Sequence, residues 1–471
     1  MILVAGSFIT AVSLGARSTM GIFNGPITDD LGITTATFGL TVAIQNIVWG
    51  VSQPIAGAIA DRFGSARVLI VGAVIYGVGL ALMAQSSTGF QLHLTGGLVL
   101  GIGLGAASFS VVLSSIGRLV PPERRSTSLG IATAFGSGGQ FVLVPLVGYL
   151  IRNWTWSQAM TLLAVVAASI VLATRPIRSR PAASGQTASP EDDETLREVL
   201  GRAFRHRSYL LLNLGFFVCG FHVTFIGVHL PKYVSDLGQS GGVGDWALSL
   251  IGLFNIAGAA AAGVMGQRFR KTHLLSGIYF GRGLAITALL VLPASPATSL
   301  IFASLMGLFW LSTVPLTSGI VMAQFGLKHA GSLFGLVFLS HQVGAFIGVY
   351  GGGYARDASG SYEQWWWLSV VLALGATAVH FFIDEGPASS GPSATAPSGG
   401  TPGLRRPRLR PALGAVVLFS GLAGVTVLTH NGSAEGIEAR SHSVVCFLWN
   451  PGDEPESLTG AMAELPGAPF P

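Results

Sequence analysis

Long apolar stretches alternate with short polar turns along most of the chain. Each stretch is close to or above the roughly 20 residues that an α-helix needs to cross a bilayer. Six lie before residue 175 and six after residue 207, so the pattern predicts twelve transmembrane helices in two groups of six. The predicted spans are 1–26, 36–60, 66–85, 92–117, 127–150, 155–174, 208–234, 245–268, 272–292, 297–324, 329–354 and 364–383.

The segments outside these spans divide the chain further. Charge, proline and small polar residues dominate 175–207, which predicts a linker ending in a short amphipathic helix. It separates an N-terminal bundle, 1–174, from a C-terminal bundle, 208–384. After the second bundle the sequence predicts three further segments: a disordered low-complexity stretch at 385–410, a candidate thirteenth span at 411–429, and a tail at 430–471.

Composition agrees with a membrane protein. Only 10% of the residues are charged and the mean hydropathy is +0.62, which excludes a soluble chain with a solvated surface. The net charge of +5 is no sign of nucleic-acid binding, because the arginines and lysines gather on one side of the predicted spans. By the positive-inside rule that side is cytoplasmic. We therefore expect a multi-pass protein of the cell membrane, with its N-terminus and the end of the twelfth helix in the cytoplasm.

The two groups of helices repeat each other. "GAIADRF" at 57–63 is similar to "GVMGQRF" at 263–269. Parallel repeats of this kind place a site near the membrane midplane. The chain resembles the major facilitator superfamily over 1–384, and "GAIADRFGSAR" resembles the loop signature of that family. The resemblance implies an all-α fold of two six-helix bundles. It also implies a cytoplasmic conformational latch, formed by Gly57, Asp61, Arg62, Gly64 and Arg67.

Within that superfamily, "GARSTMGIFNGPITDDLGI" and "LFGLVFLSHQVGAFIG" resemble the monocarboxylate and oxalate:formate exchanger branch. This resemblance implies that Arg17 contacts the substrate, with Trp310 at an aromatic position and His341 at a basic position of the site. The predicted eighth helix lacks the charge that the branch often carries there. Arg282, in the ninth helix, is the nearest second intramembrane cation in the sequence.

Polar residues recur at helical spacing within the apolar spans. On the first helix Thr10, Ser13, Arg17 and Asn24 form one stripe, which predicts the wall of a cavity. Polar residues of other helices complete a predicted midplane set: Gln140, His222, His341 and Gln342.

The sign of the charge in this set predicts the substrate. With Asp245 counted as the boundary of the eighth span, no Asp or Glu lies inside the twelve predicted spans, whereas Arg17 and Arg282 lie within them. A buried guanidinium keeps its proton and needs an anion, and its planar fork matches a carboxylate. We therefore expect a secondary transporter of small organic anions, either monocarboxylates or short dicarboxylates.

Other interpretations stay open at this point. Backbone carbonyls and serines would satisfy Arg17 as a purely structural residue, and buried histidines often only pack. A proton-driven exporter of drugs or other lipophilic compounds is the alternative function, although lipophilic cations would call for an acidic residue in the spans. Proton symport would use His222 or His341 as the titrating group, whereas anion exchange needs none.

Enzyme chemistry has no support in the sequence. We find no cluster of metal ligands, no nucleophile constellation and no phosphate-binding loop outside the apolar spans, so we expect neither a metal nor a cofactor. The expected partners are the substrate anion, protons and the lipid bilayer, and the expected state is a monomer.

Overall fold

The computed structural model describes residues 2–107, 111–112, 115–116, 122–177, 195–326 and 329–388. Within these ranges the regular secondary structure is helical, with no strand. A π-helical stretch, His93–Val99, lies between the helices Gly89–Leu92 and Leu100–Ala106. The α-helices are α1 Ile2–Ser18, α2 Met20–Leu31, α3 Thr35–Phe63, α4 Ser65–Met83, α5 Gly89–Leu92, α6 Leu100–Ala106, α7 Pro122–Asn153, α8 Trp156–Ala168, α9 Ile170–Ala173, α10 Leu196–Arg205, α11 Arg207–Asp236, α12 Gly241–Arg268, α13 Lys271–Val291, α14 Pro296–Phe309, α15 Thr313–Phe325, α16 Ala330–Ser359 and α17 Glu363–Phe381.

The all-α fold with multiple membrane spans is confirmed. Ten helical segments of the described chain are long and apolar enough to cross a membrane. The predicted second and twelfth spans are also helices, α3 and α17, but polar residues such as Gln45 and Asn46 in α3 reduce their hydropathy. The candidate thirteenth span at 411–429 lies outside the described residues.

Two of the membrane-crossing segments are interrupted close to their middle. The first is broken at Thr19, whose N–H turns back to the Ala16 carbonyl in a tighter i→i−3 bond of 3.2 Å. The tenth is broken between α14 and α15, because Pro315 has no N–H to offer the Leu311 carbonyl. Discontinuous helices expose backbone polar groups at membrane depth, which in transporters is typical of substrate sites.

The two helical bundles meet along α2 and α11, α3 and α16, and α7 and α12. Hydrogen bonds between described residues join the bundles from the middle of the helices to one end, which we call the closed end. Here the Asp357 carboxylate accepts hydrogen bonds from the Thr35 and Ala36 N–H groups, at 3.2 and 2.6 Å. Asn24 contacts His229 at 3.3 Å.

The opposite end of the described helices is more open between the bundles. A Cβ added to any of four glycines near this end, on α3, α7 and α16, would meet no atom within 4 Å: Gly57, Gly130, Gly331 and Gly335. At the closed end, by contrast, a Cβ added to Gly21, Gly39 or Gly353 would lie within 3 Å of a backbone atom of the other bundle.

The closed end contains an acidic residue that the sequence analysis placed at a boundary. α12 begins at Gly241 rather than at 245, so Asp245 lies one turn inside the helix and is buried. Its carboxylate pairs with Arg152 at the end of α7. The expectation that no acid lies inside a span is wrong here. The pair is internally neutral, however, and leaves the charge of the central arginines unbalanced.

The linker helix α10 is also present. Its first turn is held by a capping box between Thr195 and Glu198, in which the Glu198 carboxylate accepts the Thr195 N–H at 2.8 Å. This backbone hydrogen bond lowers the pKa of the exposed Glu198 carboxyl. Val199 and Ala203 are buried, so one face of α10 packs against the protein.

Candidate functional site

A cavity of about 40 Å³ lies between the two bundles, beside both helix breaks. Since one water needs roughly 10–15 Å³, this space is large enough for a few waters. Residues of both bundles line it: Arg17, Ser18, Met20, Val42, Gln45, Gln140, Val223, Thr224, Gly227, Val228, Leu248 and Trp310.

Arg17 supplies the charge of this cavity. It lies two residues before the break at Thr19 and donates one hydrogen bond, from Nη2 to the Asn46 Oδ1 atom at 2.7 Å. Its Cζ atom lies 4.8 Å from the centroid of the Trp49 ring, in a cation–π contact. Nε is buried without a partner. Among the described residues no carboxylate lies within ion-pair distance of Arg17.

Further buried polar atoms at the cavity lack partners. They are the Gln45 Oε1 and Thr224 Oγ1 atoms, which lie on opposite bundles. An unpaired buried polar group costs roughly 1–3 kcal/mol. Together with the Arg17 Nε atom, these groups indicate a place where water or a polar ligand binds.

The rest of the wall is largely apolar. Met20, Val42, Val228 and Leu248 surround the arginine, and the indole of Trp310 closes one side. Gln140, also predicted, lines the cavity, but its amide nitrogen already donates to the Leu248 carbonyl at 2.7 Å. The cavity therefore combines one fixed cation with neutral polar groups and apolar side chains.

Arg282 lies apart from the cavity lining. It is fully buried, and its Nη2 atom donates to the carbonyls of Phe309 and Trp310, both at 2.6 Å. Nε donates to the Phe309 carbonyl at 3.2 Å, and Cys219 Sγ lies 3.5 Å from Nη2. The guanidinium thus caps the end of α14, where the helix dipole places partial negative charge.

The predicted histidines and Gln342 are buried outside the enclosed cavity. His222 Nε2 pairs with the Ser369 carbonyl at 2.9 Å, facing α17. His341 Nδ1 contacts the Gln342 Oε1 atom at 3.1 Å, and its ring stacks on Phe338. Gln342 packs against Gly50, one helical turn from Asn46, and its Nε2 atom has no partner.

The predicted latch residues lie at the end of α3 away from the closed end. Arg62 and Arg67 are exposed, and the Arg62 guanidinium lies over the Phe63 ring. Gly64 ends α3 with a φ of +93°, a conformation that favours glycine. The side chain of Asp61 lies outside the described residues.

Sequence reasoning missed part of the site. Nothing in the sequence marked Asn46 as the partner of Arg17, and Gln45 and Trp49 were not selected. A signal existed, because Gln45 and Asn46 are adjacent amides in an otherwise apolar span. Thr224 sits among bulky apolar residues and gave no signal.

Comparison with known proteins agrees with this architecture. The family profile described as Major Facilitator Superfamily matches residues 6–243 and 212–432. Monocarboxylate transporter 13 of Rattus norvegicus is 23% identical over 81% of this chain and 89% of its own length. Multidrug resistance protein MdtH of Klebsiella pneumoniae is 25% identical over 81% of this chain and 90% of its own length.

Among solved structures, the fold is similar to that of a bacterial homolog of the human lysosomal transporter Spinster in an inward-facing, unoccupied conformation. The TM-score is 0.64 at 14% identity, covering 81% of this chain and 96% of that one. At this identity the likeness concerns the fold alone.

Proposed function

Because the chain belongs to the Major Facilitator Superfamily, a family of membrane transporters rather than enzymes, we propose that it carries small organic anions across the cell membrane by alternating access. The observation that supports this substrate class is Arg17, a cation on the wall of the cavity between the bundles. Its contacts leave most of its five N–H donors for a ligand.

The charge balance of the site favours an anion over a cation. Asn46 offers Arg17 a neutral oxygen, and the buried carboxylate of Asp245 is already paired with Arg152 at the closed end. A bound carboxylate would supply the missing negative charge with two parallel hydrogen bonds. The same unbalanced cation would repel the lipophilic cations that drug exporters carry.

The shape and polarity of the wall favour monocarboxylates over short dicarboxylates. Arg17 is the only charged group among the lining residues in the described part of the chain. A second carboxylate would be placed against Val228, Leu248 or Trp310 without a countercharge, which costs several kcal/mol. A short apolar or aromatic tail fits those side chains instead.

The distribution of positive charge supports an assignment of which side of the membrane the closed end faces. We propose that the closed end faces outward, because the arginines of the latch motif and of the linker lie at the other end and the positive-inside rule places them in the cytoplasm. The described conformation is then inward-facing. Rocking of one bundle against the other would break the closed-end contacts and carry the substrate across.

Coupling to protons or to a second anion is part of the same proposal. His341 and His222 are the candidates for a proton carrier, and each uses one ring nitrogen in its present hydrogen bond, His341 to Gln342 Oε1 and His222 to the Ser369 carbonyl. Anion exchange needs no titrating side chain. His341 and Gln342 lie outside the cavity in the described conformation. Their role in substrate binding is therefore proposed for the other orientation of the bundles.

The test is uptake into proteoliposomes of labelled lactate, pyruvate, benzoate, formate and oxalate, with and without a pH gradient. Saturable uptake of monocarboxylates, competed weakly by oxalate, is expected. Stimulation by an inward proton gradient would indicate symport, whereas stimulation by a preloaded anion would indicate exchange. Energised transport of ethidium, with no uptake of any acid, would overturn the proposal in favour of a drug exporter.

A further inference from the structure

The break in the tenth membrane segment needs an explanation of its own. Pro315 removes one backbone donor, and Val314 N–H bonds to the Leu311 carbonyl in a tight i→i−3 turn of 3.0 Å. The Trp310 carbonyl thereby loses the Val314 N–H that a continuous helix would provide, and among the described residues no backbone N–H is bonded to the Phe309 carbonyl across the break. Freed carbonyls at membrane depth must be satisfied by the protein.

Arg282 supplies the missing donors. One guanidinium reaches both carbonyls, with contacts of 2.6, 2.6 and 3.2 Å from Nη2 and Nε. The arginine is fully buried, and among the described residues no carboxylate pairs with it. Its charge is balanced by the carbonyl end of α14 rather than by an ion pair.

A second tether acts on the other side of the break. The Leu311 N–H donates to Asn255 Oδ1 at 2.9 Å, and Asn255 Nδ2 donates to Ser137 Oγ in the first bundle, also at 2.9 Å. The broken segment is thus clamped between α13 and α12, with a link across to α7. The residue held in this clamp is Trp310, whose indole lines the cavity and packs against Gly227.

We infer that Arg282 is a positioning residue for the transport site, which holds the break of the tenth segment and thereby fixes the Trp310 indole against the substrate. The inference rests on the proposed function, because it assigns Trp310 the role of contacting the tail of the acid. It gives the intramembrane arginine a role without direct contact to the anion. Arg17 binds the carboxylate, and Arg282 sets the wall that selects the tail.

The experiment compares binding of acetate and benzoate to purified wild-type, Arg282→Lys and Trp310→Ala proteins and to the double variant. Lysine keeps the charge but loses the planar fork that spans two carbonyls. We expect Arg282→Lys to weaken benzoate about tenfold, the size of one lost aromatic contact, and acetate much less. In the Trp310→Ala background the same substitution should leave the ratio of the Kd values for benzoate and acetate unchanged. The effects of the two substitutions are non-additive if Arg282 acts through Trp310.

Arg270→Lys, an exposed arginine at the start of the same helix, is the matched control and should change neither ligand. Equal loss of acetate and benzoate in Arg282→Lys would make Arg282 a direct anion ligand and overturn the inference. So would a lower Tm with an unchanged ratio, or a ratio that still shifts without Trp310.

A readout without substrate separates this inference from the proposed function. The contribution of Trp310 to the fluorescence is obtained by subtracting the emission of the Trp310→Phe variant from that of the wild-type protein. In Arg282→Lys this component should become more accessible to quenching by acrylamide. If the wild type binds no acid but the quenching changes, the substrate assignment fails and the positioning role stands. If the wild type binds acids and the quenching does not change, the positioning role fails.

Discussion

Replacing Arg17 by glutamine removes the charge of the site while keeping a polar side chain. The glutamine amide nitrogen would stand near the present Nε position, so the 2.7 Å hydrogen bond from Nη2 to Asn46 Oδ1 is lost with the guanidinium. The cation over Trp49 and the pair of parallel donors that a carboxylate would engage are lost as well.

The magnitude follows from these contacts. Hydrogen bonds to charged groups contribute about 1.5–3 kcal/mol each, and the cation is partly desolvated among apolar side chains. A loss of about 3 kcal/mol corresponds to a rise in Kd of about a hundredfold. Arg17→Lys keeps the charge without the planar fork of donors. Its Kd should lie between those of the wild type and Arg17→Gln, about tenfold above the wild-type value.

The assay is equilibrium binding of labelled benzoate or lactate to purified protein, followed by uptake into proteoliposomes. Arg197→Gln removes an exposed arginine of α10, outside the spans, and serves as the control that should bind like the wild type. Size-exclusion profiles and Tm values verify that each variant is folded. Arg17→Gln protein that binds the acid as tightly as the wild type would refute the anion site, whatever its transport rate.

Three further substitutions test the conformational part of the reasoning. Gly21→Ala places a methyl group against a backbone carbonyl of α11, and overpacking of about 1–3 kcal/mol should lower the population of the conformation with a packed closed end about 5- to 100-fold. We expect lost transport with an unchanged monomer peak in size exclusion, whereas Gly25→Ala has room for the methyl group and should behave like the wild type. Arg152→Ala leaves the buried Asp245 carboxylate unpaired and should lower stability by about 2 kcal/mol, less than a fully buried pair because the arginine is half exposed; combination with Asp245→Asn should restore the Tm, and failure to do so would exclude the ion pair as the cause. Gly64→Ala forces a side chain into a positive-φ conformation at a cost of about 1–2 kcal/mol, so the Tm should drop by about 2–8 °C, and an unchanged Tm would contradict the strained geometry at the end of α3.

Much of the fold was predictable because hydrophobic length and charge asymmetry are properties of the sequence itself. The exposed arginines at the ends of the helices followed from those patterns. Of the polar stripe predicted on the first helix only Arg17 lines the cavity, whereas Thr10 and Ser13 donate to the carbonyls of Ala132 and Ala107 within the first bundle. Arg17, Gln140 and Trp310 are all on the cavity wall. The start of α12 was not predictable, because "GGVGD" reads as a loop although it forms the first turn of the helix.

The rotation of individual helices could not be predicted. α13 is apolar nearly all round, so a single arginine on it carries no information about which neighbour it faces. Arg282 turned out to face the backbone of the tenth segment, and His222 the carbonyl of Ser369. The break that Arg282 caps depends on Pro315, whose effect on distant side chains becomes apparent only when the helices are packed together.

The carboxylate of Asp357 holds two amide groups at the start of α3, on the other bundle. In the proposed alternating-access cycle these amides would be released when the closed end opens, so the balance between the two orientations depends on how well the start of α3 is hydrogen-bonded in the other state. Substitution of Asp357 during evolution would therefore change the fraction of time that the protein spends facing either side of the membrane. Such a change would alter the transport rate and leave the substrate specificity unchanged.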